Sequence, residues 1–357
     1  MFRSDFIPHK IYLEEASQDY TLTEKILKKL GQIPCEIIRS PQSLLETLQN
    51  SRDAIGEGKK FIFLTRQKGE FVKPCPCTPH HISCHYIIIN LDLNCPLDCT
   101  YCLLQHYLSN PLLTIHVNHQ DLWEQLDIFF EKNKHRKIRI GTGELGDSLA
   151  LDHLTENSRD LISYFRLRKN AVFELKTKTM NIQNILDLEP AENIVISWSL
   201  NSSQMAREEE KGAAPVERRI ESARVIVKKG FPVGFHFDPL IRYPGWEDGY
   251  AQVVKKLLRT VPPSRIRWIS LGSLRFSPLL KPIIQLRFPQ TKIIYDELVP
   301  GKDGKLRYFR PLRLELYQKM IDFIQREGGE NIPLYLCMET EEIWRETLKK
   351  TKGKGIF

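Results

Sequence analysis

Three cysteines, Cys95, Cys99 and Cys102, follow directly after the apolar run 86–93. Cysteine thiolates bind iron–sulfur clusters, and a four-iron cluster held by only three of them leaves one iron free to bind another ligand. An open coordination position distinguishes a catalytic metal centre from a structural one. The spacing therefore predicts a catalytic [4Fe–4S] cluster bound by these three residues.

Two other interpretations of the three cysteines have to be considered. Their spacing also matches one face of a buried helix, but the turn formers Asn94 and Pro96 favour a loop. Zinc is the second alternative, although structural zinc sites usually need a fourth ligand and cysteine pairs that lie closer together. We therefore favour the cluster.

A second group of cysteines and histidines lies upstream, in a segment that is also rich in proline. Its residue types suit zinc or an additional cluster, but a surface loop can have the same composition. The group consists of Cys75, Cys77, His80, His81, Cys84 and His85. Two further cysteines, Cys35 and Cys337, are expected to be core thiols.

The 357-residue chain has the composition of a globular protein, with 41% hydrophobic and 27% charged residues. No apolar stretch reaches the length that spans a membrane, and the N-terminus lacks the apolar core of a signal peptide, so we expect a cytoplasmic protein. The eight cysteines then suit a reducing compartment rather than a disulfide framework. The net charge of +8 points weakly to a polyanionic partner such as nucleic acid.

Short β-rich runs alternate with helical patterns from residue 86 onward, as in parallel β/α units. This order predicts the α/β fold class, with a partial (β/α)6 TIM-type barrel; an open doubly wound sheet is the alternative. The predicted strands are 86–93, 137–142, 171–177, 193–200, 232–238 and 265–271. The predicted helices between them include 118–132, 151–167, 216–229 and 246–258.

Polar groups that could bind a ligand follow every predicted barrel strand. The carboxyl ends of parallel barrel strands meet at one mouth, so these groups would converge there. They are Asn94 with the three cysteines, 141–144, 176–178, 199–202, Asp238 and 270–273. This convergence predicts an enzyme.

Three parts of the chain differ in pattern. Residues 1–85 are predicted to form a small N-terminal α/β cap, with helices at 22–30 and 40–48 and a strand at 60–65, and residues 86–273 to form the barrel. Residues 274–357 are predicted to form a C-terminal extension with terminal helices and a β-hairpin, whose turn is Asp303-Gly304. The hairpin could bind nucleic acid or merely carry solvated charge. It contains Lys302, Lys305, Arg307 and Arg310 beside Tyr308 and Phe309.

The cysteine loop after the first strand resembles that of the radical S-adenosylmethionine (SAM) superfamily, in which the free iron chelates SAM and reductive cleavage gives a 5′-deoxyadenosyl radical. Further segments resemble the spore photoproduct lyase family, which uses that radical to reverse a methylene-bridged thymine dimer in DNA. The resemblance covers most of residues 86–310. It rests on YCLLQ (101–105), DHLT (152–155), TK (177–178), SLNS (199–202), PVERRI (215–220), GFPVGF (230–235), GWEDGY (245–250), RF (275–276) and FPQTK (288–292).

The resemblance implies two cofactors, a [4Fe–4S] cluster on Cys95, Cys99 and Cys102 and SAM, with Tyr101 in the catalytic loop. A lysine beside a cluster suits the SAM carboxylate, and glycines allow close backbone approach, although a solvated lysine and a plain turn are the structural alternatives. The resemblance also implies a reductant such as flavodoxin or ferredoxin. The SAM contacts that it implies are Gly141, Gly143, Glu144, Lys178, Ser199 and Asn201.

Two positions depart from the lyase pattern. The lyase supplies a hydrogen atom from a cysteine just after the second barrel strand, and the matching residue here is Glu144. It also has a tyrosine after the third cluster cysteine, where this chain has Leu103. A carboxylate has no weakly held hydrogen atom to give, and Gly-Glu at this place resembles the superfamily motif whose glutamate binds the SAM amino group.

The leading hypothesis is a radical SAM enzyme of the spore photoproduct lyase type, acting on a thymine photoproduct in DNA or a related substrate. A radical SAM enzyme that modifies RNA, a peptide or a metabolite on the same scaffold is the first alternative, motivated by Glu144 and Leu103. A nucleic-acid-binding protein with a structural metal is the second.

Overall fold

The computed structural model describes residues 6–77 and 80–348. Its helices are α1 (Thr21–Lys29), α2 (Gln42–Gln49), α3 (Ala54–Gly58), α4 (Leu104–Tyr107), α5 (His119–Lys132), α6 (Asp152–Thr155), α7 (Asn157–Phe165), α8 (Ser203–Glu209), α9 (Val216–Lys229), α10 (Trp246–Thr260), α11 (Leu280–Arg287), α12 (Arg310–Arg326) and α13 (Glu341–Leu348). Its strands are β1 (Lys10–Glu14), β2 (Cys35–Ile38), β3 (Phe61–Thr65), β4 (Val72–Pro74), β5 (Ile87–Ile89), β6 (Asp92–Leu93), β7 (Asp98–Cys99), β8 (Leu113–His116), β9 (Ile138–Gly141), β10 (Ala171–Thr177), β11 (Ile194–Ser199), β12 (Glu210–Lys211), β13 (Val233–Leu240), β14 (Ile266–Ser273), β15 (Arg275–Phe276), β16 (Leu298–Pro300), β17 (Leu306–Tyr308) and β18 (Leu334–Leu336).

The largest sheet has eight strands in the order β18-β14-β13-β11-β10-β9-β5-β4. Neighbours from β5 to β18 run parallel, and β4 is antiparallel to β5. The six predicted barrel strands follow one another in this sheet in chain order, although only the β5 part of the first lies in it and its last residues form β6 of a second sheet. Because β4 and β18 form the two edges of the sheet, the barrel is partial. The predicted fold class is confirmed.

The helices between the barrel strands match the sequence pattern with one exception. Helices α5, α9 and α10 occupy the predicted positions, but the single helix predicted over 151–167 is wrong. Glu156, with a φ of 57°, interrupts it and separates α6 from α7. The Glu156 carboxylate pairs with Lys25 at 2.5 Å and Lys29 at 2.6 Å on α1, so long-range contacts hold it in the left-handed conformation.

The second sheet, in the order β2-β1-β3-β8-β6, crosses the predicted boundary at residue 85. Strands β1 to β3 come from the N-terminal part, whereas β6 and β8 follow residue 85, and β4 from the N-terminal part joins the barrel. Strand β18, beyond residue 273, also joins the barrel. The division into three domains stays a prediction. The five-stranded sheet crosses the predicted boundary at residue 85, and the eight-stranded sheet crosses both predicted boundaries. No helix in the two described ranges is long and apolar enough to cross a membrane.

The predicted C-terminal hairpin is confirmed as β16 and β17, with Gly304 at a φ of 73° in the turn. Its charges, however, are largely engaged within the protein. Arg307 is 2% exposed and pairs with Asp303 at 2.6 Å, and Tyr308 is fully buried. Arg310 pairs with Glu342 at 3.0 Å. Arg307 and Tyr308 are therefore withdrawn from the surface, whereas contact of the remaining hairpin side chains with nucleic acid stays a prediction.

Candidate active site

The three cysteines of the predicted cluster lie on one loop between β6 and α4. Asn94, with a φ of 71°, turns the chain from β6 into the loop; its side-chain amide donates to Pro111 O at 2.6 Å, and its side-chain oxygen accepts from Cys95 N at 2.9 Å. Cys95 and Cys99 are buried, and Cys102 is half-buried. Sequence reasoning therefore placed these residues correctly on a loop at the carboxyl end of the first barrel strand.

Asp98, between the cysteines, fixes the loop from outside. Lys59 Nζ lies 2.9 Å from Asp98 Oδ1 and donates to Leu97 O at 2.6 Å. Arg287, on α11, lies 3.0 Å from Asp98 Oδ2 and also pairs with Asp53 at 2.7 Å. Two buried cations thus hold the cysteine loop against the N-terminal sheet and α11.

The donor set of three free thiols on one loop fits a four-iron cluster. No three His, Cys, Asp or Glu side chains in the described parts of the chain converge to hold one metal ion. A four-iron cluster differs, because each thiolate binds its own iron. Lys59 lies near Cys95 and Cys102, and Lys178 near Cys99, so positive charge flanks the place of an anionic cluster.

Protonation of the thiols opposes metal binding. Burial raises the pKa of Cys99 to about 12 and raises that of Cys95 well above its ordinary value. The thiolate is the metal ligand, so binding has to displace these protons.

Gly141 is the last residue of β9, and Gly143 and Glu144 follow it at the mouth. A side chain at Gly141 would collide with the Tyr86 hydroxyl and the Glu174 carbonyl, and Gly143, at a φ of 89°, would place a Cβ 3.1 Å from Lys176 O. Both glycines are therefore required by packing within the protein. Glu144 is half-buried. Burial, the largest influence, lowers the pKa of Lys176, but Glu144 and other negative groups outweigh it, so the net shift is upward. SAM contacts from these three residues stay a prediction.

Lys178 extends from the end of β10 towards the cysteine loop. Its Nζ lies 3.7 Å from Glu210 Oε1 and 5.5 Å from the centre of the Tyr101 ring. Burial lowers the pKa of Lys178, but Glu210 and the Cys99 sulfur outweigh it, so the net shift is upward. The lysine is held as a cation beside the predicted cluster.

Ser199 and Asn201, at the end of β11, are both buried. Ser199 O accepts from Arg219 Nη1 at 2.9 Å. The Asn201 side-chain oxygen accepts from Tyr250 Oη at 2.6 Å and from Ser202 N at 2.9 Å. Since Asn201 already binds within the protein, its predicted contact with SAM is the least supported of the six.

Tyr101 and Leu103 face different surroundings. The Tyr101 hydroxyl donates to Glu210, and burial together with this carboxylate raises the pKa of Tyr101 well above its ordinary value. The phenol therefore remains protonated. Leu103, at the start of α4, is 52% exposed.

Charged residues that sequence reasoning missed complete the site. Glu210 lies opposite Cys99 in the β7–β12 pair and contacts both Lys178 and Tyr101. Asp147 accepts from Lys178 N at 2.8 Å and from Thr177 Oγ1 at 2.7 Å. In the sequence, Glu210 belongs to the run Glu208-Glu-Glu-Lys211, which looks like a solvated face, so no local signal distinguished it.

The inner face of the partial barrel carries a buried polar network below the mouth. Glu174 Oε2 lies 2.9 Å from Arg139 Nη2, and Glu174 Oε1 lies 2.7 Å from His236 Nε2 and 2.6 Å from Ser197 Oγ. Burial would raise the pKa of Glu174, but Arg139 and His236 hold it well below its ordinary value. The floor of the site is therefore a fixed, charged surface.

The second predicted metal group lies at the open side of the barrel. Its cysteines are all half-buried and free. The convergence of ligands that a single ion needs is not found among the described side chains, so a zinc ion at this group gains no support, and an additional cluster stays a prediction.

A partial parallel barrel with a three-thiol loop at the carboxyl end of its first strand defines a radical SAM enzyme. A sequence model of the family described as "Spore photoproduct lyase" matches residues 6–311. The chain belongs to the spore photoproduct lyase family.

Individual relatives agree with this assignment. Spore photoproduct lyase of Bacillus subtilis (strain 168) is 24% identical over 308 residues, which cover 83% of this chain and 86% of that protein. A solved spore photoproduct lyase complexed with dinucleoside spore photoproduct has a TM-score of 0.81 at 22% identity, covering 94% of this chain and 99% of that chain. A double mutant with bound AdoMet and the same dinucleoside, also 22% identical and with the same coverage, gives 0.78. The structural likeness shows a common fold.

Proposed function

We propose that this chain binds a [4Fe–4S] cluster through Cys95, Cys99 and Cys102, binds SAM at the barrel mouth, and repairs a thymine photoproduct in DNA. The observation that carries the proposal is the placement of three free thiols on one loop between two largely buried lysines, Lys59 and Lys178. Membership of the spore photoproduct lyase family supports the reaction and the substrate class.

The bound cofactors would supply a 5′-deoxyadenosyl radical that abstracts hydrogen from carbon. The protein's own residues would bind and orient the reactants. Lys178, kept cationic by Glu210, would pair with the SAM carboxylate. Tyr101, whose hydroxyl is bound by Glu210, would keep this lysine and the cysteine loop in a fixed relationship.

A pyrimidine substrate suits the interior of the barrel below the mouth. Thymine carries carbonyl acceptors and an imide donor, which need polar partners in a buried site. Lys176 on β10 and the Arg275–Asp238 pair, at 2.8 Å, lie on this inner face. A relative solved with dinucleoside spore photoproduct supports the same substrate class for this chain.

A second candidate is a radical SAM enzyme that acts on a different molecule. The observation that favours it is Glu144, which occupies the place of the donor cysteine in the resembled lyase. In either case a one-electron donor such as flavodoxin or ferredoxin would reduce the cluster.

The test is anaerobic reconstitution with iron and sulfide, reduction with dithionite, and assay for 5′-deoxyadenosine and restored thymine with photoproduct-containing DNA. We expect both products from the unmodified chain. Cys99→Ala should abolish both. Cys35→Ala should not, because Cys35 is exposed in the N-terminal sheet; the expectation that it is a core thiol is wrong. Nucleoside release that is indifferent to lesion DNA would favour the second candidate, and no nucleoside release would contradict both.

A further inference from the structure

The cysteine-rich segment, residues 75–77 and 80–85, bridges the two edges of the partial barrel. At one end, Cys75 N donates to Tyr86 O at 2.8 Å, directly after edge strand β4. At the opposite edge of the barrel, Ile82 N donates to Glu339 O at 3.0 Å, and Cys77 Sγ lies 3.8 Å from Met338 Sδ. Met338 and Glu339 come just after edge strand β18. The segment therefore lies across the open side of the barrel and adds thiols to its wall.

Cys75 is the thiol of this segment on which the charge of Glu144 acts. Its backbone is tied to Tyr86, and the Tyr86 hydroxyl contacts Gly141, three residues before Glu144 on the same chain. The carboxylate of Glu144 and the sulfur of Cys75 interact electrostatically. A thiol thus lies within electrostatic range of the position at which the resembled lyase has its donor cysteine.

We propose that Cys75 supplies the hydrogen atom that completes the reaction, in place of the cysteine that Glu144 has replaced. This inference rests on the proposed function. In the transfer, the S–H bond of Cys75 breaks and a C–H bond forms at the substrate radical. One hydrogen atom moves, and the unpaired electron passes from the substrate carbon to the Cys75 sulfur.

The surroundings of Cys75 keep the hydrogen atom in place. Burial, with a smaller contribution from Glu144, raises the pKa of Cys75 to about 12, so the sulfur remains a thiol at neutral pH. A thiolate would have no hydrogen atom to give. The negative charge of Glu144 therefore helps to keep Cys75 protonated, and Glu144 is not itself the donor.

The other thiols of this region are engaged differently. Cys77 Sγ faces Met338 and Ile82 O. Cys337, which follows β18, accepts a hydrogen bond from Arg275 Nη2 at 3.5 Å, and the same guanidinium binds Asp238. Cys337 is thus bound to the charged Arg275–Asp238 pair beside β14, whereas Glu144 acts electrostatically on Cys75.

The first experiment measures repair in D2O, where thiol hydrogens exchange for deuterium. The reduced, reconstituted protein with SAM and dinucleoside spore photoproduct should release 5′-deoxyadenosine and restored thymine that carries deuterium. Cys75→Ser should keep 5′-deoxyadenosine release, yet lower restored thymine about tenfold or more. Serine is nearly isosteric, but its O–H bond is too strong to donate a hydrogen atom. Cys35→Ser is the control, and Cys337→Ser and Cys84→Ser are the comparators.

The second experiment needs no cofactor. Apo-protein is alkylated with iodoacetamide, with and without dinucleoside spore photoproduct, and labelling at each cysteine is measured by mass spectrometry. We expect the rate at Cys75 to fall about tenfold at a dinucleoside concentration ten times its Kd, and the rate at Cys35 to stay unchanged.

The outcomes separate the two hypotheses. Repair by Cys75→Ser at the unmodified rate, or loss of repair only in Cys337→Ser or Cys84→Ser, would overturn the assignment of Cys75 while leaving the proposed function intact. Unchanged alkylation at Cys75 would also count against it. If the unmodified chain released no 5′-deoxyadenosine, the proposed function would fail and the donor assignment with it.

Discussion

Glu210 is paired with Arg219 inside the protein, and both side chains are almost completely removed from solvent, with 1% and 0% exposure. The same carboxylate lies 3.7 Å from Lys178 and accepts a hydrogen bond from Tyr101. Burial raises the pKa of Glu210, but Arg219 and Lys178 lower it to about 2. One acidic side chain therefore balances two buried cations next to the cysteine loop.

Glu210→Gln should destabilise the protein by about 3–5 kcal/mol, because it leaves Arg219 buried without a counter-charge. The free energy of unfolding from urea denaturation measures this loss. Glu208→Gln, an exposed neighbour in the same acidic run, is the matched control and should change the free energy by less than about 0.5 kcal/mol. Equal effects of the two substitutions would contradict the arrangement.

Lys178→Met should weaken SAM binding while leaving the fold intact. The substitution removes the cation but keeps an unbranched side chain of similar length, and a hydrogen bond to a charged group contributes about 1.5–3 kcal/mol, or about tenfold or more in Kd. Calorimetric titration of the reconstituted protein with SAM measures the change. Lys169→Met, at an exposed position, should bind SAM normally. Unchanged affinity in Lys178→Met would remove this residue from the SAM site.

The stability of the protein should fall as the pH is lowered through the range from about 6.5 to about 4. Burial lowers the pKa of His116 to about 4, and burial also lowers that of His119 to about 4. The unfolded chain therefore binds protons that the folded chain excludes, and the stability lost grows below the unfolded value of 6.5. Each histidine should contribute a loss of about 2 kcal/mol between pH 7 and pH 5.

His116→Leu should reduce this pH dependence by about half. His116 is 4% exposed on β8, and neither ring nitrogen has a hydrogen-bond partner among the described residues. Thermal unfolding measured from pH 7 to pH 5 would show the smaller slope. His9→Gln, at an exposed position, should leave the slope unchanged. A slope unaltered in His116→Leu would show that other groups carry the titration.

Deletion of residues 1–85 should prevent stable folding of the remainder. Strand β8 pairs with β3 through the register from Ile62 to Thr65, and Lys59 holds the cysteine loop through Asp98. Removal of these partners exposes an edge of β8 and frees the loop. We expect aggregation on expression, measured by size-exclusion chromatography. A monomeric, cooperatively folded fragment would support an independent N-terminal cap instead.

The barrel strands were predictable from the sequence because strands buried on both faces form short apolar runs between helical patterns. The cysteine loop was also predictable, since Asn94 and Pro96 interrupt the helical period. Other features depend on contacts between distant parts of the chain. The break at Glu156 depends on α1, and the engagement of Arg307 depends partly on Met338 O, 3.1 Å away. Local sequence patterns do not reveal partners that are distant in the chain.

The cysteine-rich segment also bears on the order of folding. Cys77 and Met338, which meet at its far end, are separated by 261 residues in the chain. Contacts between such distant residues carry a large loop-closure cost and generally form after local ones. We therefore expect the side of the barrel to close late, after the β/α units have assembled, so that the cysteine loop stays accessible to iron and sulfide during the earlier stages of folding.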